Sequence, residues 1–296
     1  MDKVAILGLG LMGGSLGLAL KARGGPRIIA GYARRPETRA EALRRQAVDT
    51  AHADPAEAVR NADLTVLCVP VLSMPALAKA CAPGLPHGCL VTDVGSTKAL
   101  LTAEIRLSLQ GTGAVFVGSH PIAGSEQQGL EAGRDDLYAG AMVVVTADGQ
   151  EPAGAVEHLR TFWAQLDARV RVMRPEEHDR LMARTSHLPH VAASLLAATV
   201  GRTGAAEQMG PFCGPGFRDT TRVAEGSPEV WSDILQSNRE FVMTELSALK
   251  DKLDEVLAIF AQGDRAALRR FLDDSRASRQ TLRATMNRPQ QQRGTP

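Results

Sequence analysis

Residues 3–15 read KVAILGLGLMGGS. KVAIL is apolar, partly β-branched and of the length of one buried strand. Gly8-Leu9-Gly10-Leu11-Met12-Gly13 then gives the spacing G-x-G-x-x-G, and LMGGSLGLALKAR reads as a helix. Alone, that spacing means little. Between a strand and a helix, at the start of a βαβ unit, it marks a turn built to hold a dinucleotide. Gly8 permits the tight turn, Gly10 lets the backbone approach a pyrophosphate, and Gly13 lets the helix pack close to the sheet. The helix N-terminus adds unpaired N–H groups and a partial positive charge. Gly8, Gly10, Leu11, Met12 and Gly13 are therefore the candidate cofactor-binding residues.

Outward from that turn the pattern repeats. Strand-like runs occur at 3–8, 27–32, 64–69, 89–94, 114–118 and 142–146, with helix-like stretches such as 36–46 and 97–109 between them. A further run, RVRVM at 169–173, follows a helix-like stretch at 152–166. Such alternation implies a mostly parallel sheet covered on both faces. Beyond about residue 174 the strands stop. Residues 175–200 read as one long helix, apolar residues recur at helical spacing from Trp231 to Ala261, and Asp264 can cap a last helix. The expected fold class is α/β: a Rossmann-type, doubly wound, mostly parallel sheet at 1–174, then an all-helical substrate and dimerisation domain at 175–286. The polar tail 287–296 is expected to be disordered. A long amphipathic helix in a small helical domain predicts a homodimer through that domain.

Bulk properties narrow the partners. The 296 residues are 44% hydrophobic and 23% charged, with net charge +1, so charge gives no reason to expect nucleic acid or an anionic membrane. Aromatics at 4% argue against a base-stacking surface. Cys68, Cys81, Cys89 and Cys213 form no CxxC pair, so reduced thiols and no metal site are expected. The N-terminal run is broken by glycines, preceded by Asp2 and Lys3, and lacks a cleavage site, so neither targeting nor a membrane span is expected and the location is read as cytoplasmic.

About 20 residues past the glycine turn, an acidic residue would grip an adenosine ribose hydroxyl. Here the strand IIAGY runs into Ala33-Arg34-Arg35. A carboxylate there would repel a 2′-phosphate, whereas guanidinium groups pair with one, so Arg34 and Arg35 lean the NAD(P)+ choice towards NADP+. Two further strand ends aim at the same crevice. Residues 93–98 read DVGSTK and residues 118–126 read GSHPIAGSE. Ser96 and His120 should meet where a nicotinamide lies, because ligands sit beyond the carboxyl ends of parallel strands. A histidine there can accept a hydroxyl proton while hydride leaves the same carbon, its ordinary pKa near 6.5 suiting that task. Ser96 could orient the imidazole or the hydroxyl.

GLGLMGGSL, DVGSTK, GSHPIAGSE, SHLPH and GFRDTTRVA, in that order, resemble the prephenate/arogenate dehydrogenase family of tyrosine biosynthesis. The resemblance implies NAD(P)-dependent oxidative decarboxylation: prephenate to 4-hydroxyphenylpyruvate and CO2, or arogenate to tyrosine. A regulatory domain does not fit in the residues left after the helical region, so a single-function form is expected. The resemblance makes His120 and Ser96 catalytic candidates. It assigns His190 of SHLPH, Arg222 of RDTTR, Ser125, Glu126 and Trp231 to the substrate, with His187 one turn before His190. Pro215, within Gly214-Pro215-Gly216-Phe217, departs from the family's glycine-rich turn and removes a backbone N–H beside Cys213. A β-hydroxyacid dehydrogenase shares the two-domain plan, but the lysine it uses is missing from EEHDRLMARTSHLPH. A non-catalytic, NADP-binding redox sensor would need the glycine turn and not His120. The sequence leaves prephenate against arogenate, and NAD against NADP, open.

Overall fold

The computed structural model describes residues 1–123, 127, 129–202 and 206–286. Gly124, Ser125 and Glu126, and the tail from 287, lie outside the described residues. The strands are β1 (Lys3–Leu7), β2 (Ile28–Tyr32), β3 (Thr50–His52), β4 (Leu64–Leu67), β5 (Leu90–Asp93), β6 (Val115–Phe116), β7 (Gly118–Ile122), β8 (Met142–Thr146) and β9 (Arg169–Met173). The first six form one parallel sheet in the order β3-β2-β1-β4-β5-β6. β1 lies inside it, and Val4 to Leu7 are wholly buried, which is why KVAIL is a continuous apolar run rather than an alternating one. The chain order reverses between β1 and β4, leaving a crevice at their carboxyl ends.

Helices α1 (Leu11–Ala22), α2 (Pro36–Arg44), α3 (Pro55–Ala58), α4 (Met74–Cys81), α5 (Ala99–Ser108) and α6 (Ala155–Ala164) alternate with the strands. Two apolar cores result, one on each sheet face, around Leu16, Leu64 and Trp163 and around Leu67, Met74 and Ile105. Gly8 adopts φ +112°, and a Cβ there would lie 2.3 Å from the Cys68 carbonyl oxygen. No L side chain fits that turn.

The run 114–118, expected as one strand ending at His120, is two. β6 pairs with β5; the chain then leaves the sheet at Val117, and β7 pairs antiparallel with β8, which pairs in parallel with β9. His120 therefore sits within a strand of a second, three-stranded sheet, opposite Val144, and not at a strand tip. β7 is an edge strand, the place where Pro121 costs no ladder hydrogen bond. Ser119 fastens β7 to β5. Its N–H donates to Asp93 Oδ1 at 3.0 Å, its hydroxyl donates to the Asp93 carbonyl at 2.6 Å, and it accepts the Trp163 indole N–H at 3.1 Å.

After β9 come α7 (Pro175–Met182), a π-helical turn (Ala183–His187) and α8 (Leu188–Gly201) without interruption, so the long helix expected at 175–200 is present with a π-bulge inside it. Then follow α9 (Ala206–Met209), α10 (Pro215–Thr221), α11 (Pro228–Ser237), α12 (Arg239–Gln262) and α13 (Arg265–Met286). The run from Trp231 to Ala261 is not continuous: Asn238 ends α11, and α12 starts at the next residue. By contacts the chain divides into two compact units, residues 1–242 and 243–296. The second holds most of α12 and all of α13, with Asp264 Oδ1 accepting the Ala267 N–H at 2.9 Å as the cap. Among the described residues no helix is long and apolar enough to cross a membrane.

Candidate active site

The crevice at the switch point is a cavity of about 410 Å³. Gly10, Leu11 and Met12 form one wall at the start of α1, Cys68 to Val71 follow β4, and Val94 to Ser96 follow β5. His120 and Pro121 of β7 reach it, and Trp231 and Ile234 of α11 close it. Six of the residues expected from sequence thus line one cavity: Gly10, Leu11, Met12, Ser96, His120 and Trp231.

The glycine turn fits a dinucleotide. Among the described residues nothing stands within 4 Å of the position a Cβ would take on Gly10, which leaves the space before the α1 N-terminus open to them. Behind it the turn is closed: a Cβ on Gly13 would lie 1.9 Å from the Gly8 carbonyl oxygen. The Tyr138 hydroxyl donates to the Met12 carbonyl at 2.7 Å and steadies the first turn of α1. Arg34 and Arg35 are exposed at the end of β2, and the Arg39 guanidinium donates to the carbonyls of Ala33 and Arg34 at 2.8 and 2.9 Å, holding that corner.

His120 is buried, and its partner is not Ser96. Its Nδ1 lies 2.8 Å from Nε2 of His178, on α7; His178 Nδ1 lies 2.7 Å from Asp179 Oδ1. Asp179 is itself fixed. Its Oδ1 accepts the Lys98 backbone N–H at 2.7 Å and its Oδ2 accepts the Ala99 N–H at 2.8 Å, at the first turn of α5. Below, the Lys98 ammonium forms a fully buried ion pair with Asp93. Burial first, then the neighbouring His178 ring and the Lys98 charge, push the His120 pKa well below the ordinary imidazole value. The pKa near 6.5 expected from sequence is not kept, and the imidazole is neutral at pH 7.

The remaining candidates separate. His190 stacks on Trp231 with ring centroids 3.5 Å apart and planes at 12°, and its Nδ1 is buried without a partner among the described residues. His187 is buried on the π-turn. The Asn238 side-chain amide donates to the Asp179 carbonyl at 2.8 Å and lies 3.1 Å from His187 Nδ1. Burial lowers the His187 pKa to about 4. Arg222 lies on an exposed 3-10 turn (Arg222–Glu225) and does not line the cavity. Cys213 is part-exposed, just before Pro215 at the start of α10. His178, Asp179, Asn238 and Lys98 are the residues that sequence reasoning missed. The only signals were the His-Asp pair in EEHD and the lysine closing DVGSTK.

Two family models cover the chain in succession: "Prephenate dehydrogenase, nucleotide-binding domain" matches residues 16–172 and "Prephenate dehydrogenase, dimerization domain" matches residues 174–274. A cyclohexadienyl dehydrogenase of Zymomonas mobilis is 33% identical over 95% of this chain and 96% of its own. A prephenate dehydrogenase of Lactococcus lactis is 31% identical over 95% and 78%. Among solved structures, the A. aeolicus prephenate dehydrogenase in complex with hydroxyphenyl propionate and NAD+ superimposes with TM-score 0.88 and 30% identity, covering 95% of this chain and 98% of the other.

Proposed function

From the premise that this chain belongs to the prephenate dehydrogenase family, we propose that His120 is the group that acts on the substrate's ring hydroxyl. The protein is an oxidoreductase: it oxidatively decarboxylates prephenate to 4-hydroxyphenylpyruvate and CO2, with an NAD(P)+ cofactor. When bound, the oxidised nicotinamide supplies the hydride acceptor. Gly8, Gly10, Leu11, Met12 and Gly13 would hold that cofactor, with its pyrophosphate at the α1 N-terminus.

The observation that carries this reading is that the His120 imidazole and the glycine turn face one cavity. A neutral imidazole accepts a hydrogen bond from the ring hydroxyl and draws its proton away as the C–O bond gains double-bond character. Loss of the ring carboxylate as CO2 then makes the ring aromatic. The chain's part is chiefly to hold the ring in register and polarise one O–H bond. Ser96, on the same wall, is placed by this reading at the hydroxyl, because the imidazole's Nδ1 is already taken by His178. Trp231 offers a flat apolar wall to the ring, and the Nδ1 of His190, stacked on it and without a partner among the described residues, is assigned to a substrate carboxylate or a bridging water. His187, Arg222, Ser125 and Glu126 complete the proposed substrate set by family resemblance.

The test is His120→Asn. It should lower kcat by about 10²–10⁴ while the cofactor Kd stays within about twofold. Unchanged turnover removes His120 from the mechanism. Initial rates with prephenate and arogenate, each with NAD+ and NADP+, decide the substrate. The alternative, arogenate or dual specificity, is favoured by the cyclohexadienyl dehydrogenase relative.

Two finer readings belong here. NADP+ is the preferred cofactor, because two exposed guanidinium groups occupy the corner where NAD+ enzymes place a carboxylate. Replacing Arg34 and Arg35 by alanine should raise KM for NADP+ by about tenfold or more and leave KM for NAD+ nearly unchanged. Equal effects on both would overturn the preference. The protein is a homodimer through its helical region, whose second unit exposes Leu249, Leu253, Leu257 and Phe260 along one stripe of α12. With the domain division at 174, residues 175–286 are read as the substrate and dimerisation domain.

A further inference from the structure

We propose that His178 and Asp179 are positioning residues that fix which nitrogen of His120 carries the proton, so that Nε2 always meets the substrate as a bare lone pair. The inference rests on the reading of His120 given above and adds to it the means by which its tautomer is set.

Hydrogen-bond donors and acceptors along the chain leave one consistent assignment. Asp179 is an acceptor on both oxygens, because the Lys98 and Ala99 backbone N–H groups donate to it. His178 Nδ1, 2.7 Å from the same carboxylate, must then carry the proton. In a neutral imidazole that leaves His178 Nε2 as the acceptor. His120 Nδ1, 2.8 Å away, must therefore be the donor. The proton on Nδ1 leaves Nε2 of His120 unprotonated. Burial lowers the pKa of both rings, which keeps the pair neutral. The charged and titratable groups around the pair are Lys98 and Asp93 below it, Asp179 beside it and His187 on the π-turn.

The same residue orders a second ring. The Asp179 carbonyl can only accept, so the group of Asn238 facing it is its NH2. That NH2 also lies 3.1 Å from His187 Nδ1, which must be the acceptor. Neutral His187 therefore carries its proton on Nε2, the opposite tautomer to His120. The break between α11 and α12 puts Asn238 in place to do this.

The test uses the full-length protein, with three variants and two readouts. In the wild type, ¹⁵N shifts of labelled histidine should report His120 as the Nδ1–H form and His187 as the Nε2–H form at pH 7.5. His178→Leu removes the acceptor. It should lower kcat by about 10²–10³ with KM for prephenate within about threefold, and mix the His120 tautomers. His178→Gln, whose side-chain oxygen can stand where Nε2 stood, should recover at least tenfold of that loss. Asp179→Asn should disturb the His120 tautomer and leave that of His187, which is set through the Asp179 backbone carbonyl, in place. A His120 ring in the Nε2–H form in the wild type would overturn the proposal, and so would wild-type kcat in a folded His178→Leu protein. Either result would leave His120 as a catalytic group standing, since that is judged separately by His120→Asn. Equal losses in His178→Leu and His178→Gln, with the His120 tautomer unchanged in both, would mean that His178 only fills space, and would also overturn it.

Discussion

Two glycines of one turn, Gly10 and Gly13, should fail in different ways when each becomes alanine. At Gly13 the new Cβ would stand 1.9 Å from the Gly8 carbonyl oxygen, with Ile6 Cγ2 at 3.0 Å and Cys68 Cβ at 3.1 Å. Restoring an ordinary contact of about 3.2 Å requires the start of α1 to move roughly 1.3 Å from the turn, against a buried core that yields poorly. Overpacking of this kind costs about 1–3 kcal/mol, and the backbone partner puts Gly13→Ala at the upper end or beyond. At Gly10 nothing among the described residues lies within 4 Å and φ is −87°, so alanine is accommodated, with a loss of about a few tenths of a kcal/mol as a poorer N-cap. The methyl group instead occupies the space through which a pyrophosphate would approach. Urea unfolding without ligand and cofactor titration by nicotinamide-quenched tryptophan fluorescence separate the two. Gly13→Ala should shift the unfolding midpoint down. Gly10→Ala should leave it in place and weaken cofactor binding by tenfold or more. If Gly10→Ala bound cofactor normally, the turn would not be the pyrophosphate site. If Gly13→Ala were as stable as the wild type, the close helix–turn packing would be wrong.

Two other outcomes are expected. Lys98→Met leaves the Asp93 carboxylate buried without its cation and should cost about 3–5 kcal/mol in unfolding free energy, and the variant Asp93→Asn/Lys98→Met should recover part of that loss. His187 has a folded pKa of about 4 against about 6.5 unfolded, so between those values the unfolded chain binds more protons. Stability should therefore rise with pH from about 4 to 6.5 and be lost on acidification through that window, by up to roughly 3 kcal/mol from this residue; urea midpoints at pH 7.5, 5.5 and 4.5 measure it.

What the sequence disclosed follows from what is local. The glycine turn, the alternation around it and the last helix cap are each written in a few consecutive residues, and the structure keeps them. His120 was legible as a residue, but its strand was not: VFVGSH reads as one apolar run, and nothing local marks Val117 as the point where the chain changes sheets. β3, a short polar edge strand, has too few apolar residues to register. His178 and Asp179 stand in the first turns of α7, where acidic residues complement the helix dipole, so EEHD has an ordinary local explanation. Their partner is 58 residues away at His120, a distance only the fold closes. The break at Asn238 is similarly silent, since apolar spacing continues across it.

Those missed residues explain why a site in a Rossmann-type crevice needs the helices that follow. The parallel sheet can supply the cofactor turn, Ser96 and a cavity floor, but a lone imidazole in that cavity would exchange its proton between two nitrogens, and in one of the two tautomers it would present a donor to the hydroxyl. Water could fix the tautomer, yet water would also restore the charged form that burial suppresses. A second histidine held by a carboxylate fixes the tautomer without admitting solvent. Such a dyad requires an element that is rigid, buried and anchored to α5, and α7 meets that need through the Lys98 and Ala99 N–H groups. The buried Lys98–Asp93 pair then acts in the same direction, placing a positive charge near His120 so that protonation is opposed by electrostatics as well as by desolvation. A consequence distinguishes this arrangement from a solvent-exposed base: activity should fall on the acid side only well below pH 6.5, and Lys98→Met, where it folds, should move that limb upward. An acid limb at pH 6.5 in the wild type, unmoved by Lys98→Met, would mean that His120 titrates in contact with water and that the helices serve only to cover it.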